Sequence, residues 1–285
     1  MSLSLSLVST LFNTGASQSG VDGLLQTLYG GTAQQAATSA SQSLQALSQA
    51  EANESQDIQA TAQQPAVQRA VAKFTSAVTS ATSVQQLLSN PDVMQVLLTA
   101  NGLGDQIQYT ALAQKALTSN IDDPNSLANT LSDTRWKSVA QTYDFANKGL
   151  SIIQQPQVIS TLANAYAEVT WRQSLDATTP GLSDALTFRQ QASGVTSVDQ
   201  ILGDPVLRKV VTTALNIPLQ IAFQPLEAQE KAITSQLDIS QFKKPQFVET
   251  FAQRYLIAAA QQATSTSGAT TGLSSLAVQA QGLVI

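Results

Sequence analysis

Histidine and cysteine are both missing from this chain, and charge is scarce. Without cysteine there is no disulfide framework and no thiolate chemistry. Without either residue a Cys/His metal site is excluded. General acid–base work would fall to Asp, Glu, Lys or Tyr. Charged residues make up 12% of the 285 positions, about half the usual share. Alanine, serine, threonine and glutamine fill the gap, so few like charges oppose self-association. The 14 Lys and Arg form no run and the net charge is −5. Clustered cations, the footprint of a nucleic-acid or anionic-membrane binder, are therefore absent.

No apolar run reaches the roughly 18 residues of a membrane-spanning helix. The first basic residue is Arg69, and serines interrupt the leucines of the first dozen positions. A secretory leader needs a positive start followed by an apolar run. The expectation is a protein without a cleaved signal, either cytoplasmic or exported by another route.

Residues 1–65 read as a low-complexity N-terminal arm. Leu3, Leu5 and Leu7 alternate with serine in a strand-like period, and Gly15, Gly20, Gly23, Gly30 and Gly31 punctuate the next stretch. From Ala33 to Gln64 the composition is Ala/Gln/Ser-rich, without Pro or Gly, and helix propensity is good. The apolar stripe through Ala40, Leu44, Leu47 and Ile58 is thin, which predicts a helix that is marginal until something packs on it. Residues 263–285 form a second arm. No charged residue follows Arg254, and the end turns apolar at Leu273, Leu276, Val278 and Leu283. Leu44, Leu47, Leu273 and Leu276 are the candidate assembly contacts of the two arms, because apolar side chains on uncharged ends favour docking on other polypeptide.

Between the arms every pattern is helical. Val67, Ala70, Val71, Phe74 and Val78 follow helical spacing. Asn90-Pro91-Asp92 reads as an N-cap, a proline at the first helical position and an acidic first turn. That helix stops at Asn101-Gly102, a left-handed C-cap. One helix is predicted over 105–118, and Asp123-Pro124 is read as opening a short one. Another centres on Trp136, Val139 and Tyr143. A long one begins at Pro156, and Thr179-Pro180-Gly181 is a turn.

The body also repeats itself. Phe74, then Thr82-Ser83-Val84-Gln85-Gln86-Leu87-Leu88-Ser89-Asn90-Pro91, returns as Phe188, then Thr196-Ser197-Val198-Asp199-Gln200-Ile201-Leu202-Gly203-Asp204-Pro205. Lys115-Ala116-Leu117-Thr118-Ser119 returns as Lys231-Ala232-Ile233-Thr234-Ser235, and Pro156-Gln157 with Thr161, Ala163 and Tyr166 returns as Pro245-Gln246 with Thr250, Ala252 and Tyr255. Three ordered matches point to an internal duplication. The first repeat is assigned to 66–178, with an insertion of about 27 residues near 125–154, and the second to 179–262. The fold expected is all-α: an internally duplicated multi-helix bundle with extended or marginally helical N- and C-terminal arms. The repeat-defining positions are Phe74, Val84, Leu88, Pro91, Phe188, Val198, Leu202 and Pro205. They read as a packing module in which Asn90 and Asp204 already occupy the helix-end donors that would otherwise attract an anion.

Candidate chemistry is thin. Asp122-Asp123 precedes Pro124, where carboxylates favour a helix start. Glu227 and Glu230-Lys231 read as a solvated face. Asp199, Asp204 and Asp238 lack calcium-loop spacing, and the glycine pairs lack the Lys-Ser/Thr of a phosphate loop. Trp136, Trp171, Tyr143 and Tyr166 read as core. No catalytic, cofactor or metal residue is assigned, and an enzyme is not expected.

The Phe-x7-TSV-x-x-LL-x-NP start, the segment KALTSNIDDPNSLANTLSD and the segment RWKSVAQTYDF resemble domain of unknown function family 1217 of alphaproteobacteria, whose genes often sit within or near flagellar clusters. The resemblance spans about 66–262, twice over. The family has no assigned catalytic residues, so none is carried over. The resemblance implies a non-enzymatic structural or assembly protein of the flagellum, axial or basal-body/export-related, with flagellar components or copies of itself as partners. The arms look like the termini of flagellar axial proteins in composition. The alternative is a cytoplasmic helical binding module or chaperone-like adaptor for a partner helix.

Overall fold

The computed structural model describes residues 31–281, with side chains described for 38–263. The Ser-Leu alternation, the glycines before 31 and residues 282–285 lie outside this range, as do the side chains of Leu273 and Leu276. Among the described residues every regular element is helical and no strand occurs, so the chain is all-α.

Two compact units divide the chain, one of residues 43–259 and one of 1–42 with 260–285. In the smaller unit the described backbone is helical, 31–42 within α1 (Gly31–Ala62) and 260–281 within α14 (Pro245–Gln281).

The larger unit is built around two apolar clusters. The first gathers Val67, Phe74, Leu87, Leu88, Met94, Leu97, Trp136, Tyr143 and Leu162. Its helices are α2 (Pro65–Ser80), α3 (Val84–Leu88), α4 (Pro91–Ala100), α5 (Thr110–Leu117), α6 (Leu127–Thr130), α7 (Arg135–Tyr143) and α8 (Phe145–Lys148). The second gathers Leu47, Trp171, Leu186, Phe188, Ile201, Val210, Phe242, Phe251 and Tyr255. It is built from α10 (Leu182–Gln191), α11 (Val198–Gly203), α12 (Pro205–Ala214), α13 (Leu226–Thr234) and the start of α14. Helix α9 (Pro156–Leu175) serves both, giving Ile159, Leu162 and Tyr166 to the first cluster and Trp171 to the second. It packs on α4 at one side and α10 at the other. The aromatic residues read as core are buried in these clusters.

The compact unit begins at Ser43, inside the segment read as an arm of 1–65. Residues 43–62 of α1 bury Ser43 and Thr61 and turn Leu47, Ala50 and Ile58 toward the second cluster. These positions recur at helical spacing and are mostly small, which lets the helix approach closely. Leu47 is 1% exposed while Leu44 stays half-exposed. Leu47 is therefore committed to the core of its own chain, and of the stripe traced through Ala40, Leu44, Leu47 and Ile58, Leu47 and Ile58 pack on the second cluster. Ion pairs fix the same helix. Arg189 Nη1 lies 2.7 Å from Glu51 Oε1, and Arg189 Nε lies 2.8 Å from Glu249 Oε2 on α14. Arg172 Nη2 pairs with Glu168 and stands 3.7 Å from Glu54 Oε1.

Two local expectations need correction. In place of one helix over 105–118 the chain makes a 3-10 turn at Gly104–Gln106 and starts α5 at Thr110. Gly102, with φ at +73°, ends α4 as expected, but Asp105 is then drawn to Arg135, which holds the turn apart from the next helix. Asp123-Pro124 opens no helix. Asp123 Oδ1 accepts from Asn125 N at 2.9 Å, a local turn bond that competes with helix, and α6 starts at Leu127.

Candidate functional site

The two similar sequence segments make similar local structure at their helix starts. Ser83 Oγ accepts from Gln86 N at 3.1 Å to open α3, and Ser197 Oγ accepts from Gln200 N at 3.3 Å to open α11. Each glutamine carboxamide reaches back over the helix start, Gln86 Oε1 accepting from Thr82 N at 2.9 Å and Gln200 Oε1 from Thr196 N at 2.7 Å. Gln200 Oε1 also accepts from Ser197 N at 3.2 Å, which completes a reciprocal cap at the second start. Asn90 Oδ1 then accepts from Asp92 N and Val93 N, and Asp204 Oδ1 from Val206 N and Leu207 N. Phe74, Leu88, Phe188 and Leu202 are buried beneath the caps. Val84 and Val198 pack at the cluster edges. Pro91 and Pro205 stand at the first helical positions, where no N–H is needed.

Helix α7 brings a wall to the second of these caps. A cleft of about 270 Å³ opens between α7 and the α11–α12 corner, lined by Arg135, Ser138, Thr142, Gln191, Gln200 and Asp204 among others. Gly203 is the hinge of the contact. Its carbonyl accepts from Thr134 N at 3.2 Å, and a Cβ at this position would stand 2.6 Å from Thr134 Cγ2 and 2.8 Å from the Ser132 carbonyl oxygen. Only glycine allows the two backbones to approach this closely. We predict that Gly203→Ala lowers stability by about 1–3 kcal/mol through overpacking. Gly194→Ala, which meets nothing within 4 Å, should change it by less than about 0.5 kcal/mol. Urea titration of the two variants checks the contrast.

Arg135 is the centre of charge in the cleft. Its guanidinium forks onto Asp105, with Nη1–Oδ1 and Nη2–Oδ2 both 3.1 Å. Nε and Nη2 meet Asp133 at 3.0 and 2.7 Å, and Nη1 also donates to the Gly102 carbonyl. Burial opposes the charged form, but the hydrogen bonds to Asp133 and Asp105 outweigh it and hold the cation firmly. Burial also opposes ionisation of Asp105, but its hydrogen bonds to Arg135 and Gln106 prevail and its carboxyl lies below the usual range. Asp204 goes the other way. Burial raises its carboxyl, and the two capping N–H groups and the Arg135 charge only partly oppose that.

The sign of the Asp204 effect is testable. A carboxyl raised by folding contributes stability that is complete below the unfolded value near 3.9, and that contribution is lost as pH rises through the folded value. Asn90 makes the same two capping bonds without a charge. Asp204→Asn should therefore keep the cap, change stability at neutral pH by less than about 1 kcal/mol, and abolish the gain on acidification toward pH 4. Asp204→Ala should cost about 1–2 kcal/mol at every pH by losing the cap. Thermal melts from pH 4 to 7 separate the two.

Of the acids weighed in sequence, Asp204 alone enters the cleft. Asp122 and Asp123 lie in the exposed turn before α6, and Asp238 caps the 3-10 helix Ile239–Lys243. Asp199 and Glu230 meet on another face, where their mutual hydrogen bond raises Glu230. Sequence reasoning does not single out Arg135, Gln191 or Gly203. The Asp133-x-Arg135 spacing is a usable signal for a local pair, whereas nothing in sequence links Gly203 to Thr134. Among the described residues no group of three acids is placed to hold a metal ion.

The fold has a solved counterpart. A crystallised protein from Agrobacterium tumefaciens is similar over 76% of this chain and 92% of its own, at 24% identity and a TM-score of 0.67. No curated protein matches. Residues 100–248, just over half of the chain, match the family described as protein of unknown function (DUF1217). The match is a single stretch that runs from the end of α4 through both walls of the cleft to the start of α14. This chain therefore belongs to the DUF1217 family.

Proposed function

We propose that this protein is a non-enzymatic structural or assembly component that acts through protein–protein contacts in association with the bacterial flagellum. One observation carries the non-enzymatic part. In the cleft the ionisable side chains are engaged in holding the fold, Arg135 by two carboxylates and a carbonyl and Asp204 by two backbone N–H groups. A general acid or base needs a group free to exchange a proton with substrate. The flagellar part is supported by the family resemblance with its gene neighbourhood and by the nearly uncharged ends. Deleting the gene and scoring swimming motility and basal-body integrity tests it. Loss of either is the expected result, and normal motility with intact basal bodies would overturn the reading.

A second reading, an adaptor for a partner segment, is favoured by exposed apolar side chains on the α12–α13 connection. It shares the protein-contact mechanism and differs in place of action.

A further inference from the structure

From Val210 to Leu226 the chain carries no charged residue. The stretch leaves α12, runs through a 3-10 helix at Leu219–Phe223 and enters α13 at Leu226. Along it Leu219 is 80% exposed, Phe223 88% and Leu226 51%. Single exposed apolar residues are ordinary, but three large ones within eight residues concentrate apolar surface in one short segment. Pro218 and Pro225 bracket the 3-10 helix, and their missing N–H groups discourage pairing with another chain as a strand. The segment therefore presents side chains rather than a backbone edge.

What borders this segment is acidic. Glu227 and Glu230 lie on α13 beside Leu226, and Glu230 shares a helix face with it at four-residue spacing. Asp199 lies on α11, which packs on α13, and its carboxylate neighbours that of Glu230. None of these three acids makes an ion pair among the described residues, and neither does the neighbouring Lys231. Two neighbouring carboxylates repel each other when both are ionised, and a cation brought alongside relieves that repulsion.

We propose that Leu219, Phe223 and Leu226, with the bordering Asp199, Glu227 and Glu230, form a docking surface for a basic amphipathic segment of another protein. The apolar side chains of that segment cover the three exposed residues, and its Lys or Arg meet the acids. This inference rests on the protein-contact reading above and not on the flagellar assignment. The charges choose this occupant over two others. An anionic bilayer would be repelled by the acidic border. The chain's own ends cannot complement it, because no Lys or Arg occurs before Arg69 or after Arg254.

The test uses the full chain and two fluorescent peptides of about 20 residues with leucines at i, i+3, i+4 and i+7, one flanked by lysines and one by glutamates. Binding of the lysine peptide should weaken at least tenfold in Phe223→Ser and in the double variant Asp199→Asn/Glu230→Gln, and should weaken with salt. These substitutions are at the surface, and unchanged thermal melts will show that folding is kept. Equal binding of both peptides, equal binding to wild type and Phe223→Ser, or Phe223-dependent binding to phosphatidylcholine/phosphatidylserine vesicles with no peptide binding would each overturn the proposal. Failure here is separable from failure of the wider reading. A Phe223→Ser strain that swims normally, where gene deletion stops swimming, counts against this surface and leaves the flagellar role standing.

Discussion

Replacing Leu47 with alanine should lower the unfolding free energy by about 3 kcal/mol, within the range of about 2–5 kcal/mol for deleting a buried leucine side chain. Leu47 is 1% exposed within the second cluster. Its truncation leaves a hole that Trp171, Phe188 and their neighbours cannot fill without leaving their own contacts. Leu44, one turn earlier and half-exposed, should lose less than about 1 kcal/mol on the same change. Denaturant titration of the two variants decides between a helix that belongs to the body and one that waits for a partner. Equal, small effects would return residues 43–62 to the status of an arm. Limited proteolysis gives a second measure, because Leu47→Ala should open the chain near α1 at protease levels that leave the wild type whole.

Arg135→Met should cost a similar amount, about 3 kcal/mol. Removing one partner of a buried ion pair typically costs about 3–5 kcal/mol. The lower end applies because Asp105 is half-exposed and can return to water when the guanidinium is gone. The Gly102 carbonyl, which the guanidinium also satisfies, adds to the loss. Arg135→Lys keeps the charge but not the planar fork that meets Asp105 through two nitrogens, so it should recover only part of the loss. Measuring both variants at low and high salt separates geometry from charge. A methionine variant as stable as wild type would show that the Asp105–Arg135–Asp133 cluster does not hold the α4 end to α7.

Helical character is plain in the sequence because its patterns are local. Proline at the first helical position, Ser or Asn before it and glutamine three residues on each act within one turn, and α3, α4, α11 and α12 begin where those residues stand. The recurrence of Phe74 and Leu88 as Phe188 and Leu202 likewise marks buried positions. The pairing of distant segments is less accessible. Nothing near Leu47 signals that residues 43–62 pack on helices more than a hundred positions later. The stripe is carried by Ala, Ser and Thr, which hydrophobicity reads as surface. Asp105 reads as the start of a helix because its partner Arg135 lies 30 positions away. The cleft itself depends on the segment before α7 meeting the end of α11 at Gly203, a contact with no spacing to read.

The pairing of residues 43–62 with the rest of the larger unit has an uneven stoichiometry: among the described residues, Glu51, Glu54, Glu168 and Glu249 share two cations, Arg172 and Arg189. Glu51 bears part of the surplus. Burial raises its carboxyl, with Glu249 and Glu54 adding to the effect and Arg189 opposing it. Seating this helix is therefore an uptake of protons from the medium at pH values just above the ordinary glutamate range. Calorimetric heats of unfolding taken at one pH in acetate and in a buffer of different ionisation enthalpy would differ by the number of protons exchanged multiplied by the difference in ionisation enthalpy.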